Sequence, residues 1–105
     1  MIDAIFTYGT LKPGEEANHY LNHINGTWHH AYVFGHWIND SKIGYPVIKL
    51  DKNGEKIIGQ LFKSNQLETI LTKLDLYEGE EYQRSITDVF LEDGSKYQAY
   101  IYELA

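Results

Sequence analysis

Between Gly26 and Ile38 the chain strings together Trp28, Tyr32, Val33, Phe34, Trp37 and Ile38. Aromatic and β-branched side chains suit an extended backbone, so the stretch reads as one long or broken strand, and Asn39-Asp40-Ser41 opens the loop that ends it. A strand needs partners, and the remaining sequence offers several. Ala4 to Tyr8 is apolar and rich in strand formers until Gly9 stops it, and Pro13-Gly14 marks a second break. Val47 to Leu50 and Lys56 to Phe62 are strand-like, with Asp51-Lys52-Asn53-Gly54 expected as a hairpin turn between them. Ile86 to Leu91 and Tyr97 to Tyr102 flank Glu92-Asp93-Gly94-Ser95, an Asp-Gly hairpin signal.

Helical periodicity is rarer. Leu67, Ile70, Leu71 and Leu74 fall at i, i+3, i+4 and i+7, and Asn65 with Glu68 three residues on resembles a capping box, which predicts a helix with one face on the sheet. Gly79 suits a left-handed position just past its end, leaving Glu78 near the C-cap. Glu15 to Asn22 reads as a short helix with Glu15 and Glu16 in the first turn, where the helix dipole favours anions. Five or six strands with one good and one short helix imply an α+β fold whose sheet can curl toward a barrel. A chain of 105 residues, 43% hydrophobic, has room for one core and is expected to form a single domain over residues 1–105.

Charge and composition remove several functions. The formal net charge is −6 and Lys and Arg are scattered, so nucleic acid and anionic membranes are not expected partners. The absence of cysteine excludes disulfides, thiolate catalysis and cysteine zinc sites. Met-Ile-Asp-Ala-Ile-Phe-Thr-Tyr has no basic start, and no apolar run nears the roughly 18 residues of a membrane span, so a cytoplasmic location is expected. His19 and His23 could share a helix face, but there is no His-Glu-x-x-His pattern, and His29 and His30 on a strand would point to opposite faces; no metal is expected. Ser41, Ser64, Ser85 and Ser95 lie in no Gly-x-Ser-x-Gly context and read as caps or turns.

Two segments could carry chemistry. Tyr8-Gly9-Thr10-Leu11-Lys12-Pro13-Gly14 spaces its glycines as a phosphate-binding loop does, but Glu15 and Glu16 stand where that loop needs Lys and Ser or Thr, and they would repel a phosphate. What survives is a glycine directly after a strand, where backbone amides can meet a carboxylate; the plainer reading is a strand-ending turn. The second segment, Asp75-Leu76-Tyr77-Glu78-Gly79-Glu80-Glu81, places four acids in seven positions at the negative end of a helix dipole. A carboxylate partly buried among like charges would have its pKa raised toward neutrality, as a general base and acid needs; the plainer reading is a solvated acidic loop. Arg84 would form a structural ion pair with the cluster.

Taken together, Tyr8-Gly9-Thr10-Leu11, Gly44-Tyr45-Pro46-Val47 and Leu74-Asp75-x-x-Glu78-Gly79-x-x-Tyr82-x-Arg84 resemble the γ-glutamyl cyclotransferase-like family over essentially the whole chain. The resemblance implies a small mixed β-barrel with flanking helices. It implies that Tyr8, Gly9, Thr10 and Leu11 bind a γ-glutamyl group, that Glu78 is the catalytic carboxylate and that Tyr82 lines the pocket. The step from Glu78 to Tyr82 is shorter than in γ-glutamylamine cyclotransferases, which bears on where a leaving group sits. The implied reaction closes a lactam to 5-oxoproline and releases an amine, with no cofactor. Two other readings fit the same residues: a binding or regulatory module without turnover, and γ-glutamyl transfer or deprotection on a larger acyl substrate.

Overall fold

The computed structural model describes residues 2–8, 19–38, 47–80 and 82–105. Six strands appear in chain order: β1 (Ala4–Thr7), β2 (Thr27–Ile38), β3 (Val47–Leu50), β4 (Glu55–Lys63), β5 (Tyr82–Leu91) and β6 (Lys96–Leu104). A short helix α1 (His19–Asn22) precedes β2, and a 3₁₀ turn (Leu67–Ile70) leads into α2 (Leu71–Glu78) before β5. The expected helix start at Glu15 and the loops at 13–14 and 39–46 fall outside the described residues.

The sheet runs β3-β2-β4-β1-β6-β5, and β2 also pairs with β5, so five strands close on themselves into a barrel with β3 as an extra strand. All the ladders are antiparallel except β1 with β6, where Ile5 faces Tyr100. Length explains the role of β2. Its residues 27–35 pair with β4, while Gly35 to Ile38 pair with β3 on the other edge. The turn at Asp51 to Gly54 is therefore not a hairpin turn, contrary to the sequence expectation. It is tight, with Gly54 N–H donating to the Asp51 carbonyl at 2.9 Å, but it carries the chain past β2 instead of folding β3 onto β4. Local turn chemistry fixed the bend; the partner was set by a strand long enough to serve both. The Asp-Gly turn does make the expected hairpin, with β5 and β6 in register from Tyr82↔Leu104 to Phe90↔Lys96.

Alternation along each strand divides two cores. Phe6, Val33, Ile48, Ile57, Leu61 and Ile101, with smaller residues, fill the barrel. On the other face, Ile5, Phe62 and Tyr102 meet Leu21, Leu67, Ile70, Leu71 and Leu74 from the helices. Leu67 and Leu74 are essentially inaccessible, each worth about 1.5–3 kcal/mol of burial. The predicted apolar stripe faces the sheet, but its start differs. The 3₁₀ turn has no side-chain cap, and the Asn65/Glu68 capping box does not form. Ser64 takes the position instead: its Oγ accepts from Gln66 N–H at 3.1 Å and donates to the Asn25 carbonyl.

Candidate active site

The side chain of Glu78 stands on the last residue of α2. The helix stops there because Gly79 adopts φ 80° and ψ −169°, a region open to glycine, while its N–H still donates to the Asp75 carbonyl at 3.1 Å. Burial pushes the Glu78 carboxyl up to about 7. The expected repulsion among neighbouring carboxylates is not the cause. Asp75 is turned instead toward Tyr102 and Arg84, accepting from the Tyr102 hydroxyl at 2.6 Å and lying 3.6 Å from the Arg84 guanidinium. Arg84 thus makes the ion pair read from the sequence, and it also stacks over Tyr100 at 4.9 Å.

Tyr8 follows β1 at the end of the barrel core. Its hydroxyl donates to the Tyr102 carbonyl at 2.6 Å, its oxygen receives the Ile48 N–H, and its ring meets Trp37 edge-on at 5.8 Å. Burial first, then the fields of Tyr82, Glu78 and Glu103, hold the Tyr8 phenol well above its ordinary value. Tyr8 is consequently a neutral donor, not a base. The same interactions place Tyr8, Glu78 and Tyr82 in one neighbourhood, although 70 residues separate Tyr8 from Glu78 in the chain. Gly9, Thr10 and Leu11, the other expected binding residues, lie outside the described residues.

Sequence reasoning missed three participants. Glu103 is only 5% exposed, yet its carboxylate accepts the Leu50 N–H at 3.1 Å and lies 3.7 Å from Lys49 Nζ, which also donates to the Leu104 carbonyl at 2.9 Å. This pair latches β3 to the end of β6 beside Tyr8. The third is Tyr102, whose carbonyl meets Tyr8 and whose hydroxyl meets Asp75. Period-two alternation was the available signal: Ala99 and Ile101 point into the barrel, so Glu103 continues that face and Tyr102 takes the opposite one. Ending the strand at Tyr102 concealed it.

A separate groove of about 670 Å³ is lined by Phe34, Leu50, Asp51, Ile86, Asp88 and Phe90 among others, and contains none of the expected site residues. Among the described residues no three His, Asp or Glu side chains gather closely enough to hold a metal ion, and no helix is long and apolar enough to cross a membrane.

Among the described residues, then, the structure is a small closed barrel with a carboxyl at the end of a helix that burial raises toward neutrality and whose charge reaches a buried tyrosine. The chain belongs to the gamma-glutamyl cyclotransferase, AIG2-like family, whose sequence model matches residues 5–105. It is 35% identical over 76 residues to a Halalkalibacterium halodurans protein named "Putative gamma-glutamylcyclotransferase", an alignment covering 68% of this chain and 66% of that one. YkqA from Bacillus subtilis has a similar fold (TM-score 0.76, 24% identity, 99% of this chain and 36% of that chain), as does an AIG2-like protein from Mus musculus (TM-score 0.66, 23% identity, 99% of this chain and 78% of that one). The chain therefore spans just under two thirds of the curated relative and about a third of YkqA.

Proposed function

We propose that this chain cyclises a γ-glutamyl amine or γ-glutamyl peptide to 5-oxoproline and releases the amine, with Glu78 as the proton carrier. The observation that carries the reading is a carboxyl raised by burial to about 7, whose charge is felt by Tyr8, the first residue of the Tyr8-Gly9-Thr10-Leu11 motif. Near neutral pH such a group is divided between its ionised and protonated forms, so it can both accept and return a proton.

In the proposed reaction, ionised Glu78 takes a proton from the substrate α-ammonium. The freed nitrogen attacks the γ-carbonyl carbon and closes a five-membered ring. Glu78 then delivers that proton to the departing nitrogen as its bond to the carbon breaks, takes the second proton from the ring nitrogen and passes it to the released amine, which leaves as an ammonium and returns Glu78 to its ionised form. No water is consumed, and atoms balance between substrate, 5-oxoproline and amine. Nucleophile and electrophile share one molecule, so the protein's work is to hold the bent conformer and move the proton. Gly9, Thr10 and Leu11 would offer backbone groups to the γ-glutamyl ends, and Tyr82 would line the side where the amine leaves. The neutral Tyr8 hydroxyl is committed to the Tyr102 carbonyl, which supports a part for it in anchoring the chain at Tyr8 and not in proton transfer. A small soluble γ-glutamyl pool in the cytoplasm is the proposed setting.

The test is release of 5-oxoproline from a panel of γ-glutamyl amines and dipeptides. Wild type should turn over at least one, and kcat/KM should rise with pH through about 7 as Glu78 ionises. No product from the whole panel, or equal product from Glu78→Gln, rejects the reading.

A further inference from the structure

The two halves of the site come from distant parts of the chain and are joined through one residue. Tyr102 lies on β6 with its ring in the core beneath the helices, 4% exposed. Its carbonyl accepts the Tyr8 hydroxyl at 2.6 Å, and its own hydroxyl donates to Asp75 at 2.6 Å. Asp75 sits one helical turn before Glu78 and is also held by Arg84 from β5. We propose that Tyr102, with Asp75 and Arg84, is a positioning device that fixes the rotation of the last turn of α2 and so aims Glu78 at the Tyr8 end of the barrel.

Packing holds the first half of α2 most firmly. The buried anchors of α2 are Leu71 and Leu74, both in its first half. Beyond Leu74, Leu76 is 78% exposed, and Tyr77 is partly buried against the core beneath the helices, its ring 5.3 Å from that of Tyr20 in α1. Asp75 adds polar ties from the last turn to the barrel, to Tyr102 on β6 and to Arg84 on β5. Tyr102 is suited to the task. Burial, then its bond to Asp75, keeps its phenol protonated far above ordinary conditions, so the hydroxyl remains a donor throughout the working pH range. A hydrogen bond to a charged acceptor is stronger than a neutral one and directional, which makes it a good rotational pin. Among the described residues, Tyr8 after β1 and Tyr102 on β6 feel the charge of Glu78, with Tyr82 and Glu103 acting on Tyr8, and Asp75 and Arg84 acting on Tyr102.

The inference takes its catalytic meaning from the proposed function, but its geometry can be tested without turnover. Tyr102→Phe keeps the ring in the core and removes only the hydroxyl. In protein carrying carbon-13 at glutamate side chains, with the Glu78 signal assigned by its loss in Glu78→Gln, the wild-type midpoint near 7 should fall by at least about one unit in Tyr102→Phe, because a released last turn lets the carboxylate reach water. With an active substrate, kcat should fall at least about tenfold with KM little changed, and the acidic limb of the pH profile should move down by the same interval as the signal. Asp75→Ala should reproduce these shifts, the double variant should add little to either, and Asp75→Asn, which keeps an acceptor oxygen, should recover part of the loss. If Tyr102→Phe does not fold, Asp75→Ala decides, since Asp75 is at the surface. An unchanged Glu78 midpoint in a folded variant overturns the proposal. A shifted midpoint in a protein that cyclises no γ-glutamyl compound would uphold the positioning device and reject the proposed function instead.

Discussion

Strand β5 is bounded by two acidic turns of similar composition, Glu78-Gly79-Glu80 before it and Glu92-Asp93-Gly94 after it, and their carboxylates behave in opposite ways. Each turn has a glycine with positive φ, 80° at Gly79 and 87° at Gly94. In the hairpin, Asp93 is exposed and accepts both the Ser95 hydroxyl at 2.6 Å and the Ser95 N–H at 2.9 Å, which hold its pKa below the ordinary range. After α2, burial raises Glu78 to about 7. The number of neighbouring acids does not separate them. What does is the surface behind the turn: the hairpin projects into solvent, whereas the end of α2 is folded against β6 and the barrel end.

The largest expected contrast is in turnover. Replacing Glu78 with Gln should lower the rate of 5-oxoproline release by roughly 10²- to 10⁴-fold, the usual contribution of a positioned acid/base group, while Asp93→Asn leaves it unchanged. Comparable losses in both variants would erase the distinction between the turns.

Stability should move the other way. A carboxyl whose pKa is higher folded than unfolded binds extra protons in the native state, so its stabilising effect is fully present below about 4.5 and is lost as pH rises through about 7. At pH 8 the ionised Glu78 therefore opposes folding, by at most about 3 kcal/mol and less where water reaches the carboxylate. Glu78→Gln should unfold at higher urea than wild type at pH 8 and at the same urea at pH 4. A gain independent of pH would mean that packing, not ionisation, produced it.

The turn glycines come next. Gly79 lies in a region that side chains avoid, so Gly79→Ala should cost about 1–3 kcal/mol in urea unfolding. A Cβ at Gly94 would meet nothing within 4 Å, which leaves only the positive φ and a cost of about 1 kcal/mol. A reversed order would remove the tighter constraint assigned to the end of α2.

Much of this was legible before any coordinates. Each strand was visible because alternation and β-branched residues are local, and the helix stripe because Leu67, Ile70, Leu71 and Leu74 repeat at helical spacing. Pairing was harder: the Asp51 to Gly54 turn is real, but no local signal tells that β2 is long enough to take β3 and β4 on opposite edges. The site divided similarly. Glu78 was conspicuous as an acid at a helix C-terminus, whereas the two buried tyrosines that feel its charge, Tyr8 and Tyr102, lie 70 residues before and 24 after it. Gly9, Thr10 and Leu11 remain expectations of the motif, outside the described residues.

The smallest effect completes the contrast at the hairpin. Asp93 has a folded pKa below its unfolded one, so it stabilises the protein above the ordinary aspartate range, and that contribution is lost as pH falls through the lower folded value. Asp93→Asn should consequently lower the melting temperature slightly at neutral pH, and the difference should vanish in acid. Its sign is opposite to that of Glu78→Gln, and the two pH windows meet near pH 4. Thermal scans of wild type and both variants between pH 3 and 8 would show two difference curves, one rising with pH for Glu78→Gln and one falling away with pH for Asp93→Asn. Parallel curves would mean that the two carboxylates share one environment, and the burial assigned to the end of α2 would have to be abandoned.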